Sequence, residues 1–449
     1  MLRASVCNRV TVSGKIVGSG VAGYKDHLNF YAMESCNVTT LLPSSHNQPT
    51  TWQSSDGGDT MSADQLVVGI DASRNRSGGA KAHLIGILTE GEPPAAYGIR
   101  RVHLWAYRSL MSAIPDYPWL VKHSPPVLQK SLLLQAWWQY WRLPREVRAS
   151  ECDLLFNTDA ASVCPYRPNV TMMRDMLSYE PGEMERFGMS KARLRLLLKR
   201  VVQDRSMRNA QRVVFLTNYA ARVTQQTFGS LDNAIVIPHG VGQEFRLDRP
   251  HLSGASASEI LFLYVSNASM YKHQWQVIRA VGRLRRSGVA ARLLLVGGGE
   301  GRAQELLDQE ISVTDPNGEF VEQRPFVPHG AIPRLLADAD VFVFASSCES
   351  MPNTLLEAMA IGLPIACSDR GPMPEILGDG GVYFDPENSD SIAAALESII
   401  GSPALKERIA KRAKELSAQY SWARCSRETW KTLSECARDA RSVSGGKLK

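Results

Sequence analysis

Short apolar runs recur along the chain, each closed by polar or glycine-rich residues. In the first half they are Leu66–Ile70, Val102–Ala106, Asp153–Phe156, Val170–Met173 and Val213–Thr217. In the second half they are Ile260–Val265, Arg292–Val296, Val341–Ala345, Ile365–Cys367 and Val382–Phe384. Runs of this length, unbroken by polar alternation, read as strands buried on both faces. Helical spacing lies between them: Lys81–Leu88, the side with Trp275, Val277, Ile278, Val281 and Leu284, Ser389–Ser417 with a break at Gly401-Ser402-Pro403, and Ala423–Ala440. Strand and helix in alternation predict an α/β chain with parallel sheets.

Two helical stretches have distinctive patterns. Ser131–Arg142, with Leu132, Leu133, Leu134, Trp137, Trp138, Tyr140 and Trp141, is apolar nearly all round and reads as a core helix. Lys191–Arg212 sets Leu194, Leu197, Leu198, Val201 and Val202 among Arg193, Arg195, Lys199, Arg200, Arg205 and Arg208. Such a helix either lies on an anionic bilayer surface or presents a solvated face while packed on a domain.

A length of 449 residues exceeds one compact core and predicts two domains. The turn-rich segment from Pro238 to Ser258 marks the break between them. The expected division is 66–250, 251–420, and a last helix and tail at 421–449, with the end from Ser442 frayed. Residues 1–65 are rich in Ser, Thr, Asn and Gln and read as a disordered extension, with Met61 a candidate start just ahead of the first strand. The formal charge of +6 suits an anionic ligand or membrane surface and does not call for nucleic acid. The eight cysteines are scattered, without metal-type spacing, which points to a reducing compartment.

Candidate chemistry collects where strands end. Glu349 and Glu357 stand eight positions apart across a loop-to-helix junction after Val341–Ala345. Ligands of open parallel sheets bind at such strand ends, and the amides opening a helix attract anions. Lys272 stands before another helix, within reach of an anionic group. Gly78-Gly79 and Gly297-Gly298-Gly299 follow strands as close-approach loops; an ordinary tight turn explains Gly78-Gly79 equally well. Glu300-Gly301-Arg302 breaks the dinucleotide fingerprint, which speaks against an NAD enzyme. Arg174-Asp175 ends a strand and is either a substrate-handling pair or a surface ion pair.

The order strand, Lys272, Gly297-Gly298-Gly299, strand, Glu349-x7-Glu357-Ala358-Met359-Ala360-x-Gly362-x-Pro364, then Pro374-Glu375-Ile376 resembles the retaining family 4 (group 1) glycosyltransferases of GT-B fold. The resemblance is specific from about Tyr264 to Leu396 and looser over 66–250. It implies two Rossmann-like domains facing across a cleft, a first domain for the acceptor and a second for a nucleotide-diphosphate sugar. It implies that Glu357 binds the ribose diol and that Glu349 lies near the donor sugar and reacting centre. Asn353 and Thr354 would offer backbone N–H groups to the diphosphate, Lys272 would neutralise its charge, and Gly79 would close over it. Asn267 and Gly298 fall in the same donor loops. Two departures stand out: the family's arginine before the lysine falls on Ser266 or Asn267, and its His-Asp reads Arg174-Asp175. Arg174 takes the sugar-contacting place by position only.

The expected function is therefore retaining hexosyl transfer from a nucleotide-diphosphate sugar to a hydroxyl of a saccharide or lipid-linked saccharide. The family setting implies cell-surface polysaccharide or lipopolysaccharide synthesis in the cytoplasm, at or near the inner membrane face. No Asp-x-Asp of the metal-dependent kind marks the donor region, so neither metal nor cofactor is expected. A nucleotide-sugar epimerase and a non-catalytic nucleotide-sugar binder are the alternatives.

Overall fold

The computed structural model describes residues 65–76, 78–246 and 259–445. The expected extension, but for Gln65, lies outside them, as does the linker Leu252–Ser258. Thirteen described strands form two sheets, each parallel throughout. The first runs β1 Leu66–Asp71, β2 Ile99–Trp105, β3 Leu120–His123, β4 Leu154–Asn157, β5 Asn169–Met173, β6 Arg212–Phe215 and β7 Ala234–Val236, in spatial order β3-β2-β1-β4-β5-β6-β7. The second runs β8 Ile260–Val265, β9 Ala291–Val296, β10 Val321–Arg324, β11 Val341–Phe344, β12 Ile365–Ser368 and β13 Val382–Phe384, in order β10-β9-β8-β11-β12-β13.

Both sheets reverse their winding at one place, between β1 and β4 and between β8 and β11. A crevice opens there because the flanking crossovers depart to opposite faces. The central strands β1, β4, β5 and β11 are buried at every position, as their apolar runs require. The edge strands β3, β7 and β10 escape the sequence pattern. They are mostly half-buried, and Leu-Val-Lys-His and Val-Glu-Gln-Arg carry polar residues that an edge can solvate.

The last helix, Trp422–Gly445, returns to the first sheet and continues through Ser442, where fraying was expected. Ser426 Oγ donates to Ile87 O at 3.0 Å and Ser434 Oγ to Tyr97 O at 2.6 Å. Arg441 grips Asp153 through Nε and Nη2, both at 2.7 Å. Gly86, inside the helix Gly78–Thr89, is a contact point: a Cβ there would lie 2.6 Å from Cε3 of Trp422.

One helical expectation changes. Leu132–Trp141 is not a core helix: Leu133 is 84% and Trp137 53% exposed. Its inward side is Gln135, Trp138 and Gln139, because the two amides serve the polar loops beneath. Lys191–Asn209 packs through Gln203 and Met207 and leaves Leu194, Leu197, Leu198 and Val201 outside. Among the described residues no helix is long and apolar enough to cross a membrane.

Candidate active site

The second sheet supplies most of the predicted set. After β8 the chain makes a short turn, Met270–Lys272, then passes through His273 at φ 46° into the helix Gln274–Arg286. Tyr264 Oη donates to the Lys272 carbonyl at 2.7 Å and fixes the turn on its own strand. The Lys272 ammonium pairs with the Glu349 carboxylate and lies 5.2 Å from the centre of the Phe344 ring. Both side chains are mostly buried. Sequence positions 77 apart are thus brought together at the carboxyl ends of β8 and β11.

Glu349 leads into the helix Asn353–Ile361, whose first turn has no side-chain cap. Asn353 and Thr354 open that turn, so their amides point out of the helix end where anions are favoured. Asn353 Oδ1 meets His239 Nδ1 at 2.9 Å. Gly79 lies in the first turn of the helix Gly78–Thr89 rather than in the expected loop, and a Cβ on it would lie 3.3 Å from Asn353 Nδ2, so the two helix starts stand against each other. One turn on, buried Glu357 has His329 Nε2 at 3.5 Å from Oε1. Hydrogen bonding to Glu357 raises the His329 imidazole above its usual range.

Arg174 does not pair with Asp175. Its Nη2 donates to Asn75 Oδ1 at 3.1 Å and to Asp159 Oδ2 at 3.3 Å, while Asp175 pairs with Lys199. The surface-pair expectation fails because Arg174 turns to the loops after β1 and β4 and Asp175 to the helix Lys191–Asn209. Arg174 also depresses the proton affinity of His83 and His239, although burial is the larger cause for both. His239 falls to about 4. His83 is fully buried, stacks on His239 at 4.8 Å, and neither of its ring nitrogens has a hydrogen-bond partner.

Asn267 and Gly298 sit in the adjoining loops after β8 and β9. Asn267 Nδ2 donates to Ser269 Oγ at 2.9 Å, and the Gly298 carbonyl accepts from Ala268 N at 3.1 Å. Close packing of these loops explains the glycines: a Cβ on Gly297 would lie 2.7 Å from the Ser266 carbonyl carbon, and Gly297 has φ 114°. One Asp-x-Asp tripeptide, Asp338-Ala339-Asp340, does precede β11. It lies at the opposite end of the strand from Glu349, where Asp340 accepts from Leu261 N at 2.9 Å and Asp338 pairs with Arg334.

Sequence reasoning missed His83, His239 and His329. The last two share a signal, since both stand in Pro-His-Gly tripeptides at loops. It also missed the polar chain between the sheets. His273 Nε2 meets Ser347 Oγ at 2.9 Å, and Ser347 donates to Glu183 at 2.5 Å. Glu183 takes Arg186 Nε at 3.0 Å, and Arg186 reaches Glu387 at 3.1 and 2.7 Å. Burial holds His273 at about 4, hence neutral.

Two parallel α/β units meeting at their strand ends are the GT-B arrangement. Sucrose-phosphate synthase from Thermosynechococcus elongatus superposes with a TM-score of 0.65 over 85% of this chain and 100% of that one, at 15% identity. Anabaena Alr3699/HepE, solved in complex with UDP, gives 0.60 over 83% and 100%, at 20% identity. In sequence, residues 252–416 match the family described as Glycosyl transferases group 1. O-antigen chain mannosyltransferase B of Escherichia coli is 30% identical over 136 residues, 30% of this chain and 35% of that protein. D-inositol 3-phosphate glycosyltransferase of Nocardiopsis dassonvillei is 29% identical over 236 residues, 49% of this chain and 55% of that protein. The chain therefore spans about a third to about half of the length of these relatives. Fold and family match together support a group 1 glycosyltransferase of GT-B type.

Proposed function

We propose that this protein transfers a hexosyl group from a nucleotide-diphosphate sugar to a hydroxyl of a saccharide or lipid-linked saccharide, with retention of configuration and without a metal. The observation that supports this is the Lys272–Glu349 pair at the strand ends, in the loop that leads into the helix Asn353–Ile361, with Glu357 one turn into that helix and Gly79 against Asn353. On this reading Glu357 accepts from both ribose hydroxyls, which one carboxylate can do, and His329 steadies it. The amides of Asn353 and Thr354, with Lys272, receive the diphosphate and stabilise the charge it gains as it leaves. Glu349 orients hydroxyls of the donor sugar beside the reacting carbon, and Arg174 borders them from the first sheet. The bond from the anomeric carbon to the phosphate oxygen breaks, and one to the acceptor oxygen forms on the same face. The acceptor's proton passes to the departing phosphate. The product would enter cell-surface polysaccharide or lipopolysaccharide, made in the cytoplasm at the inner membrane face.

The names of similar proteins support two donors. One relative, from Mycobacterium tuberculosis, is named GDP-mannose-dependent, and Alr3699/HepE is also solved in complex with UDP-glucose. Thermal-shift titration with GDP-mannose and UDP-glucose tests this directly, because a bound donor raises the melting temperature by mass action. Glu357→Ala and Lys272→Ala should each then lower turnover by about 10²-fold or more, the size of one lost transition-state contact. Near-normal turnover in both variants would overturn the site assignment. A new sugar nucleotide formed from donor alone would favour the epimerase, and binding without any turnover the non-catalytic binder.

A further inference from the structure

The loop that leaves β1 carries Arg74 and Arg76, and Lys81 follows in the first turn of the helix Gly78–Thr89. Arg76 and Lys81 are gathered on one ring. The Arg76 guanidinium carbon lies 5.3 Å, and the Lys81 ammonium 5.8 Å, from the centre of Tyr107. Tyr107 stands just past β2, and its hydroxyl donates to the Asn75 carbonyl at 2.7 Å. Asn75 Nδ2 donates in turn to the Ala80 carbonyl at 3.2 Å. Loop, helix start and ring are thus tied into one frame at the ends of β1 and β2. Arg76 Nη2 also donates to the Leu128 carbonyl, which anchors the guanidinium.

Among the described residues, neither Arg76 nor Lys81 has a carboxylate for a partner. The acids of the neighbouring strand ends are engaged elsewhere. Asp71 accepts from Gln139 Nε2 at 2.7 Å, Asp159 from Arg174, and Asp175 from Lys199. Two like charges held beside one ring repel, and the ring's attraction for each is weak. An oxyanion against both would replace that repulsion with attraction. The approach is open: Arg76 and Gly78 are exposed, and nothing lies within 4 Å of where a Cβ on Gly78 would stand. The frame also borders the candidate site. Asn75 Oδ1 accepts from Arg174 Nη2 at 3.1 Å, and Gly79 stands against Asn353.

We propose that Arg76 and Lys81 bind an oxyanion carried by the acceptor, a phosphate or a carboxylate, so that the protein selects a charged acceptor over a neutral one. The guanidinium offers a planar fork of N–H groups and the ammonium a compact charge, and the two together suit either oxyanion. Donor and acceptor anions are then read by different cations. The diphosphate falls to Lys272 and the Asn353 helix start in the second lobe, and the acceptor to Arg76 and Lys81 in the first. The frame stands on its own geometry; only the assignment of its oxyanion to the acceptor rests on the proposed transfer reaction.

The test is a thermal-shift titration of the full chain with glucose 6-phosphate, glucuronate and glucose, each alone and with saturating uridine or guanosine diphosphate. The nucleotide fills the donor site, so a further shift reports a second site. With nucleotide present, at least one charged sugar should bind about tenfold or more tightly than glucose, and which one it is separates phosphate from carboxylate. At about 1 M salt, where screening reaches about 3 Å, most of that preference should vanish. Arg76→Gln with Lys81→Gln should abolish the preference while nucleotide stabilisation matches the starting protein, which also shows that the variant is folded. The proposal is overturned if neither charged sugar is preferred over glucose, or if the double substitution leaves the preference intact. It is overturned equally if nucleotide displaces the charged sugar, which would put the oxyanion in the donor site. Absence of any nucleotide response, with the preference kept, would count against the transfer reaction and leave the oxyanion site standing.

Discussion

The Lys272–Glu349 pair offers the sharpest test of the site, because its energetics follow from burial. The two side chains are 10% and 15% exposed. Removing one partner of a buried pair strands the other charge and costs about 3–5 kcal/mol. The residual solvent contact argues for the lower end, about 3 kcal/mol for Lys272→Met, which strands Glu349 and takes the cation from the Phe344 and Tyr271 rings. Glu349→Gln should cost less, about 2 kcal/mol, since the flexible ammonium can turn toward solvent. The double variant removes both charges, and neutral replacements of a buried pair are often tolerated. It should therefore recover about 2 kcal/mol or more relative to the sum of the single changes. Urea unfolding measures this through the midpoint at constant slope. Additivity to within about 0.5 kcal/mol would refute a coupled pair. The same cycle tests function. A nucleotide diphosphate supplies a new anion to Lys272, so it should stabilise Glu349→Gln more than Lys272→Met. Equal stabilisation of Lys272→Met and the starting protein would remove Lys272 from the diphosphate site.

Gly86→Ala sets helix propensity, which favours alanine by about 1 kcal/mol, against overpacking on Trp422, which costs about 1–3 kcal/mol; a lowered urea midpoint is expected, and a raised one would show that the last helix docks elsewhere. Burial lifts the Glu180 carboxyl from its usual 4.5 to about 7. The folded state holds that proton more tightly, so Glu180 makes stability fall as pH rises from about 4.5 to about 7, and Glu180→Gln should flatten that stretch of the melting curve. His239, held at about 4 against a usual 6.5, acts oppositely: its contribution is present above 6.5 and lost as pH falls toward 4, and His239→Asn should remove that loss. Glu375→Ala removes the acceptor of Asn218 N at 2.8 Å and Tyr219 N at 2.7 Å, a cap worth about 1 kcal/mol, and should weaken nucleotide binding by up to about fivefold in calorimetry if the lobes must meet to bind.

What could be read from the sequence follows from where the information lies. Strands buried on both faces announce themselves, as β8 and β11 do in Ile-Leu-Phe-Leu-Tyr-Val and Val-Phe-Val-Phe. Glu349, just past a buried strand, and Glu357, inside a largely apolar helix, were legible as candidates because acids are rarely placed in such surroundings without a purpose. The inversion of Leu132–Trp141 was not legible. Composition gives how apolar a helix is, and only the loop carrying Asp71 and Ser73 decides that Gln139 must face inward. The partner of Arg174 was hidden for the same reason. Asn75 and Asp159 are 99 and 15 residues away in the chain, and β1 and β4 bring them beside β5. His83 carries no pattern of its own, and the Pro-His-Gly tripeptide shared by His239 and His329 does not say which loops meet.

The contacts between the two lobes divide into two kinds, and the division bears on how a ligand could enter. Along the ends of β5 and β6 the stitching is polar: Glu183 to Ser347, Arg186 to Glu387, Thr217 to the Ser350 carbonyl at 3.1 Å, and Asn218 and Tyr219 to Glu375. Apolar support there is small, with Cys348 among Met173, Met176 and Tyr179. Exposed members such as Arg186–Glu387 contribute about 1 kcal/mol or less each, screened by salt. At the reversal of winding the contact is different: Gly79 and His239 close on Asn353, the residue that opens the helix with uncapped amides. On the proposed reading, a diphosphate seated on those amides and on Lys272 would add charge-assisted hydrogen bonds where the lobes touch at Asn353. Such bonds are about twice as strong as neutral ones. Donor binding and lobe closure are then linked through Asn353, and the weak polar flank is what leaves that link able to act.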